Sequence, residues 1–244
     1  IYGFICAAIA GALLSVLFAI LTQYLMSNQV ATGLGLTMVG LGLSALIGKP
    51  YEGIKSPTLT KLDIPILSEI PILGPMIFSH DIIVYFSILV VATVAFVIKK
   101  TRVGLILRAV GENQEAAHAL GYKVIRIRFL AIMFGGAAAG IGGAYISLAR
   151  VPQWTEGMTA GAGWIALALV VFASWKPWRV LVGAYLFGGI TVLQLNLQAI
   201  GVAIPVEILS MSPYLVTIVV LVGISLFGHH TAPGSLARPF HASQ

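Results

Sequence analysis

Residues 1–26, IYGFICAAIAGALLSVLFAILTQYLM, hold no Lys, Arg, Asp or Glu. A helix needs roughly 20 predominantly apolar residues to cross the hydrocarbon core of a bilayer, and in lipid each backbone amide must find its partner inside the segment. The stretch therefore reads as a membrane-spanning helix. Further stretches of this kind follow at residues 30–48, 82–98, 129–149, 160–173, 180–201 and 214–228, giving about seven spans. The fifth, 160–173, is short and is expected to borrow from its flanks.

Composition agrees. With 59% hydrophobic and 9% charged residues, the 244-residue chain cannot form a soluble domain with a polar surface. The expected fold is an all-α polytopic membrane helix bundle, a single transmembrane domain over 1–244. The first stretch lacks a basic leading region and a small-residue cleavage site, so it is not read as a signal peptide, and a start at Ile1 suggests that an N-terminal part is missing. The lone Cys6 has no intrachain disulfide partner and reads as packing. A pI near 9.6 could suggest nucleic acid, but no aromatic-basic platform accompanies the charge, and membrane orientation explains it better.

Lys and Arg concentrate in short loops on the cytoplasmic side of a membrane. Lys99, Lys100, Arg102, Arg108, Lys123, Arg126 and Arg128 lie in a central loop over about 99–128, Lys176 and Arg179 in a later loop, and Arg238 in a tail over about 229–244. These loops are assigned to the inside. The other side holds Lys49, Lys55, Lys61 and Arg150 with six acidic residues, including Glu52, Asp81 and Glu156. Its loop over about 49–81 carries Pro50, Pro57, Pro65, Pro71 and Pro75, too closely spaced for a long helix. Ile64, Ile66, Leu67, Ile70, Ile72 and Leu73 suggest a segment along the membrane surface, either capping the bundle or meeting an external partner.

Lipid tails give one helix no hydrophobic reason to prefer another, so small residues that admit close approach mark helix contacts. The fourth stretch has two such stripes: Gly135, Ala139, Gly143 and Ser147, and beside it Gly136, Gly140 and Ala144. It should be central.

The basic loop contains a short helix bounded by its own sequence. Asn113 is the expected N-cap, Glu115 places negative charge in the first turn, and Gly121 suits the left-handed residue that ends a helix. Ala116, Ala117 and Ala119 leave its surface small and smooth, so a partner backbone could approach, while Glu115 and His118 offer polar contacts. Covering lipid headgroups is the plainer use of such a helix.

The run Glu115-Ala116-Ala117, three residues, then Gly121 resembles the cytoplasmic EAA loop of ABC importer permeases; the Ile-x-Leu-Pro ending found downstream in many of them is absent. Leu107-Arg108-Ala109-Val110-Gly111-Glu112-Asn113 before it and Gly121-Tyr122-Lys123-Val124 after it are similar to permeases of simple-sugar and nucleoside ABC importers, relatives of branched-chain amino acid permeases. So are Asn28-Gln29-Val30, Gly135-Gly136-Ala137, and Met158-Thr159-Ala160-Gly161 with Gly163-Trp164-Ile165-Ala166-Leu167-Ala168. The resemblance covers nearly the whole chain. It implies a permease in a bacterial or archaeal cytoplasmic membrane. Implied partners are a second permease, a cytoplasmic ATP-binding subunit and an external solute-binding protein. ATP and magnesium belong to the partner, and the helix around 112–121 couples to it through Arg108, Gly111, Glu112, Asn113, Glu115, Ala116, Ala117 and Gly121.

The chain itself lacks a phosphate-cradling loop. Gly48-Lys49 comes nearest, but Leu43 stands where the first glycine is needed and Pro50 where a hydroxyl is needed. Candidates for the translocation path are Asn28, Gln29 and Thr32 at the start of the second stretch, Gln194 and Gln198 on one face of the sixth, and Trp164. Interhelical hydrogen bonding and interfacial anchoring are their ordinary uses. A branched-chain amino acid permease remains the alternative. An ion-coupled transporter would place an ionisable residue at membrane depth, and none stands inside these stretches; the five His form no metal-ligand pattern.

Overall fold

In the computed structural model the described residues are 1–57, 80–159, 161–201 and 232–240, with 211, 215, 218, 219, 222 and 223. Among them every regular element is helical: α1 (Tyr2–Ala19), α2 (Gln29–Gly48), α3 (Ile82–Lys100), α4 (Arg102–Glu112), α5 (Gln114–Ala119), α6 (Val124–Tyr145), α7 (Ala162–Phe172) and α8 (Pro177–Ala199). π-helical turns extend α1 through Ile20–Tyr24 and α6 through Ile146–Arg150.

Local chemistry sets several ends. Asn28 Oδ1 accepts from the amides of Val30 and Ala31 at 3.0 and 3.1 Å and so starts α2. Thr101 sits at the break between α3 and α4: its Oγ1 donates to the Val97 carbonyl at 2.7 Å and accepts from the Gly104 amide at 3.2 Å. Pro177 occupies the first turn of α8, where a missing amide hydrogen is harmless.

Among the described residues, five helical segments are long and apolar enough to cross a membrane: Tyr2–Tyr24, Gln29–Tyr51, Ile82–Lys100, Val124–Arg150 and Pro177–Ala199. They match five of the seven sequence stretches, the fourth beginning at Val124 rather than at residue 129. The fifth stretch does not borrow from its flanks. α7 is 11 residues, about 16 Å at 1.5 Å per residue, and is bounded by Gly161 at φ 80° and by positive φ at Ser174 and Trp175. The seventh, 214–228, and the outer loop over 58–79 fall largely outside the described residues.

The chain divides into two compact units, one of residues 1–86, 106–160 and 234–244 and another of 87–105 and 161–233. In the first, α1 runs antiparallel along α6. Gly11 lies against the backbone of Gly136 and Gly140, and Gly140 against the carbonyl of Ala7; a Cβ on any of these three would overlap its neighbour. Gly136 also meets Ser15. Of the two stripes expected on this helix, the one with Gly136 and Gly140 forms the seam, with Ala144 buried on the same stripe, and Gly135 and Gly143 have open space around them. At the end of the pair holding Gly3 and Leu148, the ring of Trp154 lies on Gly48, and Ser56 donates its amide to the Pro152 carbonyl at 2.8 Å. Tyr145 Oη donates to Asp81 Oδ2 at 3.4 Å. In the second unit α8 packs on α7, with Gly183 admitting Leu169 and Phe172.

Gly140→Leu should therefore separate α1 from α6. We expect a lower thermal midpoint in detergent and a lower yield of membrane-inserted protein; an unchanged midpoint would show that the helices do not meet at this residue.

Candidate functional site

The basic loop folds into two helices and a turn. α5 is six residues long and is framed as its sequence demands: Asn113 Oδ1 accepts from the Ala116 amide at 3.0 Å, and Gly121 takes φ 85° in the reversal that follows. The Tyr122 amide returns to the Ala117 carbonyl at 3.2 Å, closing the turn before α6 begins.

Which face α5 presents follows from burial. Gln114 and Ala117 are buried, while Glu115, Ala116, His118, Ala119 and Leu120 are exposed. Ala117 joins Val110 of α4 and Val124 of α6 in a small apolar cluster, with Ile106, Ile125 and Ile127 packed around it. The displayed surface is thus one carboxylate, one imidazole, two methyl groups and a leucine that is 75% exposed. Arg108, Glu112 and Asn113 are exposed on the approach to this helix, and Gly111 is half-buried. The eight residues expected to couple therefore lie along one continuous stretch, with Ala117 as its inward anchor and Glu115 and Ala116 on its outward side.

Sequence reasoning missed two parts of this site. The first is α4: Ile106 and Val110, four residues apart, give it one apolar face. The second is the tail. Ser235 donates its amide to the Gly111 carbonyl at 2.9 Å, and its Oγ accepts from the Gln114 amide at 3.0 Å. Gln114 Nε2 donates to the Pro239 carbonyl at 3.0 Å. Phe240 is 5% exposed within the apolar cluster, its ring edge-on to His118 at 5.3 Å. From α6, Arg128 donates to the carbonyls of Arg238 and Ser235, both at 3.0 Å, and to Gln23 Oε1 at 3.5 Å. The sequence signal for this docking is slight, a single Phe beside Pro239 in a polar tail. The loop and the tail, both assigned inside from their charge, meet at the same end of the α1/α6 pair.

The candidate path residues fall in both units. Asn28 is exposed and spends its side chain on capping α2, Gln29 is half-buried, and Thr32 Oγ1 lies 2.8 Å from Ser27 Oγ. Gln194 and Gln198 are half-buried on the side of α8 that carries Gly183 and Phe187, whereas Asn196 is exposed and bonds back to the Val192 carbonyl. Trp164 is 67% exposed. No group of three or more His, Cys, Asp or Glu is placed to hold a metal among the described residues.

Five apolar segments long enough to span, with a capped short helix between the third and the fourth, define a multi-pass membrane protein among the described residues. The chain belongs to the family described as branched-chain amino acid transport system / permease component, which matches residues 1–225. It is 38% identical over 241 residues to a putative glucose ABC transporter permease of Haloferax volcanii, covering 90% of this chain and 73% of that one. It is 34% identical over 221 residues to a nucleoside ABC transporter permease of Lactococcus lactis subsp. cremoris, covering 88% and 70%. A guanosine ABC transporter permease of Bacillus subtilis is 33% identical over 247 residues, covering 97% and 76%. No solved structure matches. The chain is an ABC-type permease and a transport subunit, as its loop motif implies.

The cap makes a local prediction. Asn113→Ala should destabilise the loop by about 1 kcal/mol, since it strands the Ala116 amide, and Asn113→Asp should restore it. Proteolysis of the loop in membranes, faster for Ala and unchanged for Asp, is the measurement.

Proposed function

We propose that this chain is the membrane-spanning subunit of an ATP-driven importer, that its solute is a nucleoside or a simple sugar, and that α5 is the element through which a separate ATPase acts. The observation that carries the coupling reading is the geometry of α5. Its cap and closing turn make it a rigid stub, its inward side is tied into α4 and α6, and its outward side is left small and open. A partner surface that closes around Glu115, Ala116 and Ala119 would move a body continuous with α6, and through the glycine seam with α1. Exposed charges such as Arg108 and Lys123 contribute orientation more than affinity, because solvent-exposed ion pairs contribute little.

The solute class rests on the relatives: one is named for glucose and two for nucleosides. The family description supports a second reading, a branched-chain amino acid. Ion coupling is disfavoured by the apolar stretches, which carry no Lys, Arg, Asp or Glu in their interiors, and Arg128, at the loop end of α6, is engaged by two carbonyls and a carboxamide. The external solute-binding protein, a companion permease and residence in a bacterial or archaeal cytoplasmic membrane belong to the same proposal.

Two experiments test it. In proteoliposomes holding the permease with its companion permease, its ATPase and the solute-binding protein, Glu115→Lys and Gly121→Val should leave the protein in the membrane and ATP hydrolysis running while uptake falls about tenfold, equivalent to about 1.4 kcal/mol of lost coupling. Normal uptake by both variants would refute the role of α5. Uptake of radiolabelled guanosine, glucose and leucine, each measured separately, reads the solute class, and uptake of leucine alone would favour the amino acid reading.

A further inference from the structure

The carboxyl-terminal segment reaches every helix that surrounds α5. Over residues 234–240 it is held by five hydrogen bonds: Gly111 of α4 accepts one, Gln114 of α5 donates two, and Arg128 of α6 donates two. Phe240 closes the cluster of Val110, Ala117 and Val124, so one side chain touches the same three helices. Arg128 also reaches Gln23, in the π-helical turn that ends α1. Gly234 belongs to the fit as well, for a Cβ there would come within 2.7 Å of the Glu112 carbonyl.

A six-residue helix framed by one cap and one turn transmits displacement only as well as its neighbours hold it. Isolated helices this short are marginal in water, and their order comes from what they pack against. α5 buries only Gln114 and Ala117, and both lie against tail partners: Gln114 by its amide and its side chain, Ala117 through the cluster that Phe240 completes. Without the tail, Gln114 loses Ser235 and Pro239 as partners, and its Oε1, buried with no partner among the described residues, would gain water. We infer that residues 234–240 are a strap that fixes α5 to the α1/α6 pair, with Phe240 and Arg128 as its positioning residues, so that force applied to α5 reaches the spans instead of being absorbed in the loop. This rests on the coupling role of α5 proposed above.

The strap is tested in proteoliposomes containing the full permease, its companion permease, its ATPase and the solute-binding protein, by amide hydrogen exchange over 114–122 and by solute moved per ATP hydrolysed. In Phe240→Ala, exchange over 114–120 should rise about tenfold, as for a segment freed to open locally. ATP hydrolysis should continue while solute per ATP falls severalfold, and Phe240→Leu should restore both. Arg128→Lys, which keeps the charge but loses the fork on the two carbonyls, should act like Phe240→Ala and serves where that variant does not insert. Unchanged exchange in both variants overturns the strap. Raised exchange with unchanged solute per ATP overturns its positioning role. Slowed exchange over the same amides when the ATPase is added to the unmutated permease reads the coupling role by itself; its absence refutes that role and leaves the strap as an anchor of the tail.

Discussion

The seam between α1 and α6 is the constraint from which the site follows. In a bilayer, apolar side chains gain nothing by leaving lipid for one another, so two helices stay together through backbone proximity and the dispersion contacts it permits. Gly11, Gly136 and Gly140 supply that proximity, with Ala7 and Ser15 opposite. Because the pair is antiparallel and in contact along its length, the end of α1 and the beginning of α6 come out at the same level. Gln23 and Arg128 can then meet, and the basic loop and the tail gain a fixed base.

That base gives meaning to polar groups that would otherwise be costly. Arg128 stands at the first turns of an apolar helix, and its guanidinium is satisfied by two main-chain carbonyls and an amide oxygen rather than by a carboxylate. Neutral acceptors hold the cation without creating a buried ion pair, whose desolvation cost can exceed its attraction. Gln114, 7% exposed, is likewise satisfied on its donor side by the chain's own backbone. The loop is therefore assembled from main-chain acceptors and a small apolar cluster, leaving Arg108, Glu112, Glu115, Lys123 and Arg126 outward.

Much of this was legible beforehand. The absence of charge inside each long stretch marked five of the spans, and the ends of α5 were written in Asn113 and Gly121, whose roles depend only on local geometry. The small-residue pattern of α6 announced a close contact, yet it offered two stripes, and only the partner helix decides between them. Two things lay beyond reach. Gly161, Ser174 and Trp175 bound α7 through backbone angles that a hydropathy reading does not see. The tail contact joins residues more than a hundred positions apart through backbone carbonyls, which carry no sequence signature. Asn28 is a candidate for the solute path on polarity alone, and the structure adds a use that polarity does not show, since its side chain begins a helix, as that residue type often does ahead of an apolar run.

The π-helical turn at Ile20–Tyr24 holds more residues than a regular coil of the same rise would need. Excising one of them would let α1 run on as an ordinary helix with its amide ladder intact, and everything beyond it would keep nearly its height and heading, because the widened turn carries one more residue over about the rise and rotation of the α-helical turn it replaces. The change would be confined to the turn itself, where buried Thr22 and Gln23 would be reset against their neighbours although no seam residue had been touched. The surplus residue therefore adjusts the place where α1 meets Arg128 without redirecting the chain that follows.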